Sequence, residues 1–331
     1  MTPDISVIVV SYNTGAILAE CVASLLDADQ ATALELIVIE NATSAEAIRN
    51  LAALQERYAG DRRARFIQNQ ENRGFAAANN QGLLLASARN LFLLNPDTWL
   101  APGILGSVVQ QLDNAPPEVG ILGFRLENPD GAPQVAARTL PTWQVALNQN
   151  TFLGSLGLFG AEVRRHKLEG FTFDQTREVG QVMGAAFAFP RRTLERLGPL
   201  DEGYFVYFEE VDYCRRAQEA GLRVLFSPVP AIRHFGGVST AQAADCMYGV
   251  YLASLLHYQR KWLPTRQYRW VAACLKVLLV PSLLLDMGGL SLNILKNKLR
   301  GKPEKVARDR RQLQGRTRFL LRDLGRFLRQ S

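Results

Sequence analysis

Three carboxylates stand within four residues at Glu209, Glu210 and Asp212, preceded by Tyr204, Phe205, Tyr207 and Phe208. Aromatic neighbours exclude water, and adjacent carboxylates raise one another's pKa, which equips one of them as a general base. Acidic residues are also stabilised by the dipole at a helix N-terminus, so Asp212 can serve a helix while Glu209 or Glu210 faces a substrate. A further carboxylate, Asp97, follows Asn95-Pro96 at the end of an apolar run. There it can hold a hard divalent cation or cap the next helix. His234 lies after Pro228 and Pro230 and before Gly236-Gly237, a setting that His166 and His257 do not share. A lone histidine in such a place is either structural or a ligand.

These side chains need elements to bring them together. The chain has 331 residues, 47% hydrophobic and 21% charged. That is enough to build a sizeable core, and the length is that of about two domains. Ile5–Val10 and Leu34–Ile39 are apolar, β-branched runs that read as buried strands. Ala64–Asn69 and Asn90–Leu94 read as two more. Between them lie helical spacings: Leu18, Cys21, Val22 and Leu25, then Ala45–Tyr58, then an alanine-rich stretch through Ala88. Four β-loop-α units predict an α/β fold with a mostly parallel sheet covered by helices on both faces. Each strand ends in polar residues: Ser11-Tyr12-Asn13, Glu40-Asn41, Asn72, and Asn95 with Asp97. Ligands of such sheets bind beyond the carboxyl ends of the strands. A GxGxxG turn, the ordinary dinucleotide grip, is missing.

The second half is less regular. Val119–Leu126, Val182–Phe189 and Arg223–Phe226 read as strands, and Arg191–Leu197 and Val211–Ala220 as helices. Ala132–Arg177 has weak periodicity and many glycines, and is expected to be a mobile loop over the site.

The net charge of +7 hides an asymmetry. Residues 258–331 carry 18 Lys/Arg against 4 Asp/Glu, a net of +14, which leaves residues 1–257 with 20 against 27, a net of −7. An acidic body excludes broad nucleic-acid binding across the main fold. Four widely separated cysteines without a CxxC pair exclude a zinc ribbon and suit a reducing compartment. Ile5–Val10 is too short for a signal peptide, so the body is expected in the cytosol. Val271–Leu285 is apolar but broken by Lys276 and Pro281, shorter than the roughly 20 residues a span needs, and fits a re-entrant or interfacial helix. Leu313, Leu320, Leu324 and Phe327 share a helical face with arginines elsewhere. Such a basic amphipathic helix suits an anionic membrane surface; core packing or dimer formation is the other reading.

Taken in order, the motifs resemble the family 2 glycosyltransferases, and within them the rhamnosyltransferases that build bacterial cell-surface polysaccharides such as O-antigen. The resemblance spans about Ile5–Thr240. It rests on Val10-Ser11-Tyr12-Asn13, Glu40-Asn41-Ala42-Thr43, Asn72-Arg73-Gly74-Phe75 through Asn79-Asn80, Leu94-Asn95-Pro96-Asp97-Thr98, and Gly184-Ala185-Ala186-Phe187 followed by Phe205–Arg216 and His234. It implies a GT-A fold: a Rossmann-like nucleotide-binding half (1–100) and an acceptor half (101–257) around a mixed, mostly parallel sheet. Residues 258–331 form a helical, membrane-associating appendage in this scheme. The resemblance also implies that Ser11, Tyr12 and Asn13 line the nucleotide pocket and that Glu40, usually Asp, contacts the base. Asn72, Gly74, Phe75 and Asn79 would hold the nucleotide sugar, and Gly184, Ala185 and Asp212 lie on the acceptor side. Asp97 ends a DxD motif whose first Asp is here Asn95. Asp97 and His234 would ligate a divalent metal, and such mixed ligation leans towards Mn2+ over Mg2+. Glu210 stands at the catalytic base, with Glu209 as its alternative.

The activity so implied is inverting, metal-dependent, non-processive transfer of a sugar to a hydroxyl of a lipid-linked or saccharide acceptor. The likeness points to L-rhamnose from dTDP-L-rhamnose, at the cytoplasmic face of the bacterial inner membrane, with the tail on anionic lipid. Gln259-Arg260-Lys261-Trp262 and Gln267-Tyr268-Arg269-Trp270 both miss the QxxRW spacing of processive members. Galactofuranose or glucose from UDP are the alternative donors. A nucleotidyltransferase needs a basic, glycine-rich first loop that Ser11–Ala16 lacks. A catalytically dead sugar-nucleotide binder is the remaining class, motivated by Glu40, Asn95 and Glu210 standing where Asp is usual.

Overall fold

The structure, a computed structural model, describes residues 2–27, 31–236 and 244–329. Gly237 and Thr240, at the end of the motif-bearing stretch, lie outside the described residues. The chain forms two compact units. The first comprises Met1–Leu140, Gly170–Phe205 and Glu209–Ser239, and the second Pro141–Glu169, Val206–Phe208 and Thr240–Ser331.

The first unit is α/β. Strands β1 (Ile5–Ser11) and β2 (Leu34–Glu40) are buried along their whole length, as strands covered on both faces must be. Helix α1 (Ala16–Leu26) follows β1, and α2 (Ala45–Arg57) follows β2, its first turn capped by Ser44 Oγ accepting from the Ala47 N–H at 3.2 Å. Next come β3 (Ala64–Gln68), α3 (Phe75–Leu85), β4 (Asn90–Leu94), β5 (Thr98–Trp99), α4 (Ile104–Asp113) and β6 (Val119–Glu127). After the short strand β7 (Ala137–Arg138), the segment that belongs to the second unit, and the short strands β8 (Arg177–Glu178) and β9 (Gln181–Val182), the elements β10 (Ala186–Pro190), α7 (Arg191–Leu197), α8 (Glu209–Glu219) and β11 (Arg223–His234) complete it, β8 pairing with β11.

Among the described residues the main sheet runs β3-β2-β1-β4-β10-β6-β11-β5. β1 to β4 are parallel, β10 is antiparallel to both its neighbours, and β11 is parallel to β6. The sheet is therefore mixed and mostly parallel.

Two strands differ from the sequence expectation. Val182–Phe189 is split into β9 (Gln181–Val182), which pairs with β7 (Ala137–Arg138), and β10, which joins the main sheet. The strand expected to stop at Phe226 runs on to His234. Its register shifts between Ser227 and Ala231, which accommodates two prolines without ladder N–H groups.

The second unit is helical. It contains α5 (Trp143–Asn150), α6 (Gly160–His166), α9 (Ala244–Trp262), α10 (Thr265–Leu299), α11 (Pro303–Arg318) and α12 (Leu324–Arg329). Ala132–Arg177 is thus not a structureless loop. Thr142 caps α5 by accepting the Val145 N–H, and Val145, Ala146 and Leu147 bury an apolar face. The Val271–Leu285 stretch is likewise one part of a continuous 35-residue helix that runs through Pro281. The expected lipid-facing stripe on the last helices is also corrected. Phe319 (1% exposed) and Phe327 (3%) lie in the core of this unit, with Leu320 and Leu324 packed against it. Amphipathicity shows that a face seeks apolar surroundings; here the protein supplies them.

Candidate active site

The carboxyl ends of β1, β2 and β4 form one polar rim inside the first unit. At its centre is Glu40, 2% exposed. Its Oε2 accepts the Ser11 hydroxyl at 2.6 Å, and its Oε1 accepts the N–H groups of Ala42 at 2.9 Å and Asn13 at 3.4 Å. Ser11 is itself fully buried and paired with Thr14 at 2.7 Å. Glu40 and Ser11 therefore tie two loops together, and Tyr12 and Asn13, both half-buried, form the tip. Asn13 takes a left-handed backbone (φ 54°), and its Oδ1 accepts the Ser44 hydroxyl at 2.7 Å.

Asn41, only 2% exposed, organises the next loop. Its Nδ2 donates to Asn72 Oδ1 at 2.8 Å and to the Gly74 carbonyl at 3.1 Å. Its Oδ1 accepts from Asn69 Nδ2 at 3.0 Å and from the Arg73 N–H at 3.2 Å. Gly74 has φ 81°, and a Cβ there would fall 2.5 Å from the Phe205 carbonyl oxygen. The Phe75 N–H donates to that same oxygen at 2.6 Å. So Gly74 is required by the backbone that leads into the acidic cluster. Asn79 is 1% exposed and turned back onto the Phe75 carbonyl at 2.9 Å. Its neighbour Asn80 reaches outwards instead, bonding the Leu200 carbonyl and, through Oδ1, the Leu200 N–H.

The acidic cluster opens α8. Asp212 is fully buried, paired with Arg216 Nε at 3.1 Å and accepting the Tyr204 hydroxyl at 3.3 Å. It is thereby held within the fold by the side chains of its own unit. Glu209 is 4% exposed and Glu210 half-buried, and one oxygen of each, Oε2, is shielded without a hydrogen-bond partner. Burial pushes the Glu209 carboxyl well above the ordinary carboxylate range, and the adjacent Glu210 charge adds to it. Burial raises Glu210 too, opposed by its own N–H and that of Val211. Glu210 is the less enclosed of the pair. Gly184 faces it: a Cβ at Gly184 would lie 3.5 Å from Glu210 Cγ. Ala185, next in the chain, accepts the Asn95 N–H at 3.0 Å, linking the end of β4 to the surroundings of the base. Tyr207 and Phe208, directly before Glu209, both take left-handed backbone (φ 70° and 71°), a strained pair of a kind that collects at functional sites.

The long β11 places His234 opposite Thr98, beside Asp97. Gln134 Nε2 donates to the His234 carbonyl and to Asn128 Oδ1, both at 2.8 Å, which fixes the orientation of the amide. Gln134 Oε1 then accepts a hydrogen bond from His234 Nδ1 at 2.8 Å. The other ring nitrogen, Nε2, is buried and lies 3.3 Å from Asp97 Oδ1, without hydrogen-bond geometry to any described residue. An imidazole nitrogen and a carboxylate oxygen so placed are joined either by a proton on the ring or by a shared cation. A ligating histidine that donates its other N–H to a carbonyl is the usual way a metal ligand is oriented. The donor set fits a divalent cation completed by oxygens of a bound phosphate. Among the described residues no group of three or more His, Cys, Asp or Glu does so by itself. Burial pushes the Cys21 thiol up to about 12, so the cysteine beneath Asn95 and Thr98 is no nucleophile.

Gln134, Asn41 and Asn80 are the participants that the sequence does not single out. Asn41 and Asn80 stand inside quoted motifs next to residues given the role, but Gln134 carries no local signal.

The sequence profile described as "Glycosyltransferase like family 2" matches residues 3–247. The N-acetylglucosaminyl-diphospho-decaprenol L-rhamnosyltransferase of Mycobacterium tuberculosis is 25% identical over 256 residues, 73% of this chain and 79% of the relative. The low-salt glycan biosynthesis hexosyltransferase Agl10 of Haloferax volcanii is 23% identical, over 68% of this chain and 64% of its own. Two solved structures share the fold. The mannosyltransferase PcManGT of Pyrobaculum calidifontis, in complex with GDP-Man and Mn2+, has a TM-score of 0.53 at 16% identity, over 98% of this chain and 88% of that one. GalNAc-T7 with UDP, GalNAc and Mn2+ has a TM-score of 0.54 at 14% identity; the match covers 80% of this chain and about half (52%) of GalNAc-T7. With the mixed sheet, the polar rim and the profile match over most of its length, the chain has a GT-A fold and belongs to glycosyltransferase family 2.

Proposed function

We propose that this chain is an inverting, metal-dependent, non-processive glycosyltransferase that moves L-rhamnose from dTDP-L-rhamnose to a hydroxyl of a lipid-linked saccharide. It would work at the cytoplasmic face of the bacterial inner membrane, in cell-surface polysaccharide synthesis. The observation that carries the metal-dependent reading is the buried His234 Nε2 held 3.3 Å from Asp97 Oδ1. The choice of sugar is supported by the likeness to the mycobacterial rhamnosyltransferase.

Asp97 and His234 would hold Mn2+ or Mg2+. When bound, that ion neutralises charge on the departing nucleoside diphosphate, which the acidic body cannot do alone. The rest falls to the chain's own side chains. The loop built on Asn41, Asn72 and Gly74, with Tyr12 and Asn13, receives the nucleotide sugar. Glu210 removes the proton of the acceptor hydroxyl as that oxygen attacks the anomeric carbon from the face opposite the leaving group. One displacement inverts the configuration and needs no covalent intermediate.

The test is a thermal-shift screen of the full-length protein against dTDP-L-rhamnose, UDP-galactofuranose and UDP-glucose, with Mn2+ or with EDTA. A donor at a hundred times its Kd raises stability by about 2.7 kcal/mol. Selective stabilisation by dTDP-L-rhamnose that vanishes in EDTA is the expected result. Selectivity for a UDP sugar overturns the sugar, and equal stabilisation in EDTA overturns the metal. The anomeric configuration of the product, read by NMR, checks inversion.

A further inference from the structure

Helix α10 (Thr265–Leu299) is apolar on two opposite faces. One of them carries Tyr268, Val271, Leu275, Leu279 and Leu283 into the core of the helical unit. The other carries Trp270, Val277, Leu284, Leu292, Leu295 and Leu299, which are 51%, 72%, 58%, 70%, 57% and 81% exposed. At 3.6 residues per turn these six fall within an arc of about 80°, on a stripe about 44 Å long. Pro281 and Gly288, which share the arc, carry no charge. A water-facing surface has no use for such a stripe, and its length takes it beyond the scattered leucines of an ordinary exterior.

Charge decides what covers it. A second copy of the stripe would bring two tails together, each with 18 Lys/Arg against 4 Asp/Glu in residues 258–331. An anionic bilayer offers the opposite sign beside an apolar interior. Trp270, at one end of the stripe, packs edge-on to Trp143 at 5.2 Å, which meets Phe159 at 5.4 Å. Half-exposed tryptophan suits the headgroup level of a membrane.

The helix is long and apolar enough to cross a membrane by length and composition, but its partners forbid that. α11 (Pro303–Arg318) is joined to it by Arg316 Nε donating to Asp286 Oδ2 at 2.9 Å and by Asn297 Nδ2 donating to Asp309 Oδ2 at 3.1 Å. α11 carries Lys305, Arg308, Arg310, Arg311, Arg316 and Arg318. A spanning α10 would draw those six cations into hydrocarbon, each at a cost of several kcal/mol.

We propose that the outward face of α10, from Trp270 to Leu299, embeds in the plane of an anionic bilayer at the headgroup–acyl boundary. This rests on the membrane part of the function proposed above and names the surface that makes the contact.

The experiment uses the full-length protein and phosphatidylcholine vesicles with and without phosphatidylglycerol. Wild type co-sediments with the anionic vesicles. The double substitution Leu284→Ser/Leu292→Ser weakens that partition by about 10²-fold or more. Its circular dichroism and its donor-induced thermal shift stay unchanged, because both side chains are exposed. Lipids brominated near the headgroup quench tryptophan fluorescence more than lipids brominated at the chain end, and Trp270→Phe removes most of that difference. Unaltered partition of the double variant overturns the face while leaving membrane binding standing. Failure of wild type to bind overturns both, and the donor shift still reports on the transferase. Stronger quenching from the chain end overturns the in-plane placement. A concentration-dependent dimer abolished by the double variant, with no vesicle effect, makes a second copy the occupant and overturns the proposal.

Discussion

Two neighbouring carboxyls at the head of one helix share a dipole and a desert of water, yet they are not equivalent. Glu209 is sealed in and Glu210 is half-buried, with Gly184 leaving room beside it. As the proposed base, Glu210 must be ionised to work, and burial displaces its pKa upward, so the acid limb of kcat against pH is expected above the ordinary carboxylate range. Glu210→Gln is expected to lower kcat by about 10²–10⁴-fold with donor affinity retained. Glu209→Gln keeps turnover. Its stability effect has a definite sign. A carboxyl raised in the folded state contributes most below its unfolded pKa, and that contribution is lost as pH rises through the folded value. Glu209→Gln therefore gains Tm at pH 8 relative to wild type and gains none near pH 4, by about 2–4 °C for each kcal/mol recovered. Equal losses of kcat in both variants would refute the division of labour.

At the scale of elements, the loop after β3 is shaped by what it must meet. Gly74→Ala places a methyl against the Phe205 carbonyl and strains φ 81°, so the loop shifts and Phe205 with it. The variant is expected to fold with a lowered Tm and to lose at least about 10-fold in kcat/KM, since small displacements of a reacting group are expensive; steady-state kinetics on a variant with unchanged circular dichroism decides it. Much of this architecture is legible beforehand. Ile5–Ser11 and Leu34–Glu40 announce themselves because a β-branched run closed by polar residues has few other homes. What escapes is what depends on distant partners. Pro228 and Pro230 disguise a strand that a register shift keeps in the sheet to His234. Gln134 orients a histidine a hundred residues away and has no pattern of its own. The stripe at Leu320, Leu324 and Phe327 shows an apolar preference that periodicity cannot assign to protein or lipid.

Across the whole molecule, the charge separation acquires a layout. In the proposed function the acidic, sheet-based unit carries the nucleotide-sugar and proton chemistry, while the basic helices carry a long outward apolar stripe. One short piece of chain complicates that division. Val206–Phe208 packs with the helical unit: Ser254 Oγ donates to the Val206 carbonyl at 2.8 Å, and the rings of Tyr207 and Phe208 meet Tyr251 at 6.0 and 5.8 Å. Phe208 also meets the buried Tyr258 at 5.4 Å. A chain ending before Ala244 loses all of these partners. It is expected to leave anionic vesicles, to bind donor with unchanged affinity by calorimetry, and to turn over a water-soluble acceptor at least about 10-fold more slowly. Ser254→Ala shows a milder version of the kinetic loss; full turnover by the shortened chain would refute the coupling. In the proposed function the helical tail is then more than a mooring. Anyone trimming it to obtain a soluble enzyme also strips Val206–Phe208, the residues directly before Glu209 and Glu210, of their packing, so ease of handling and catalytic competence are expected to pull against each other in this chain.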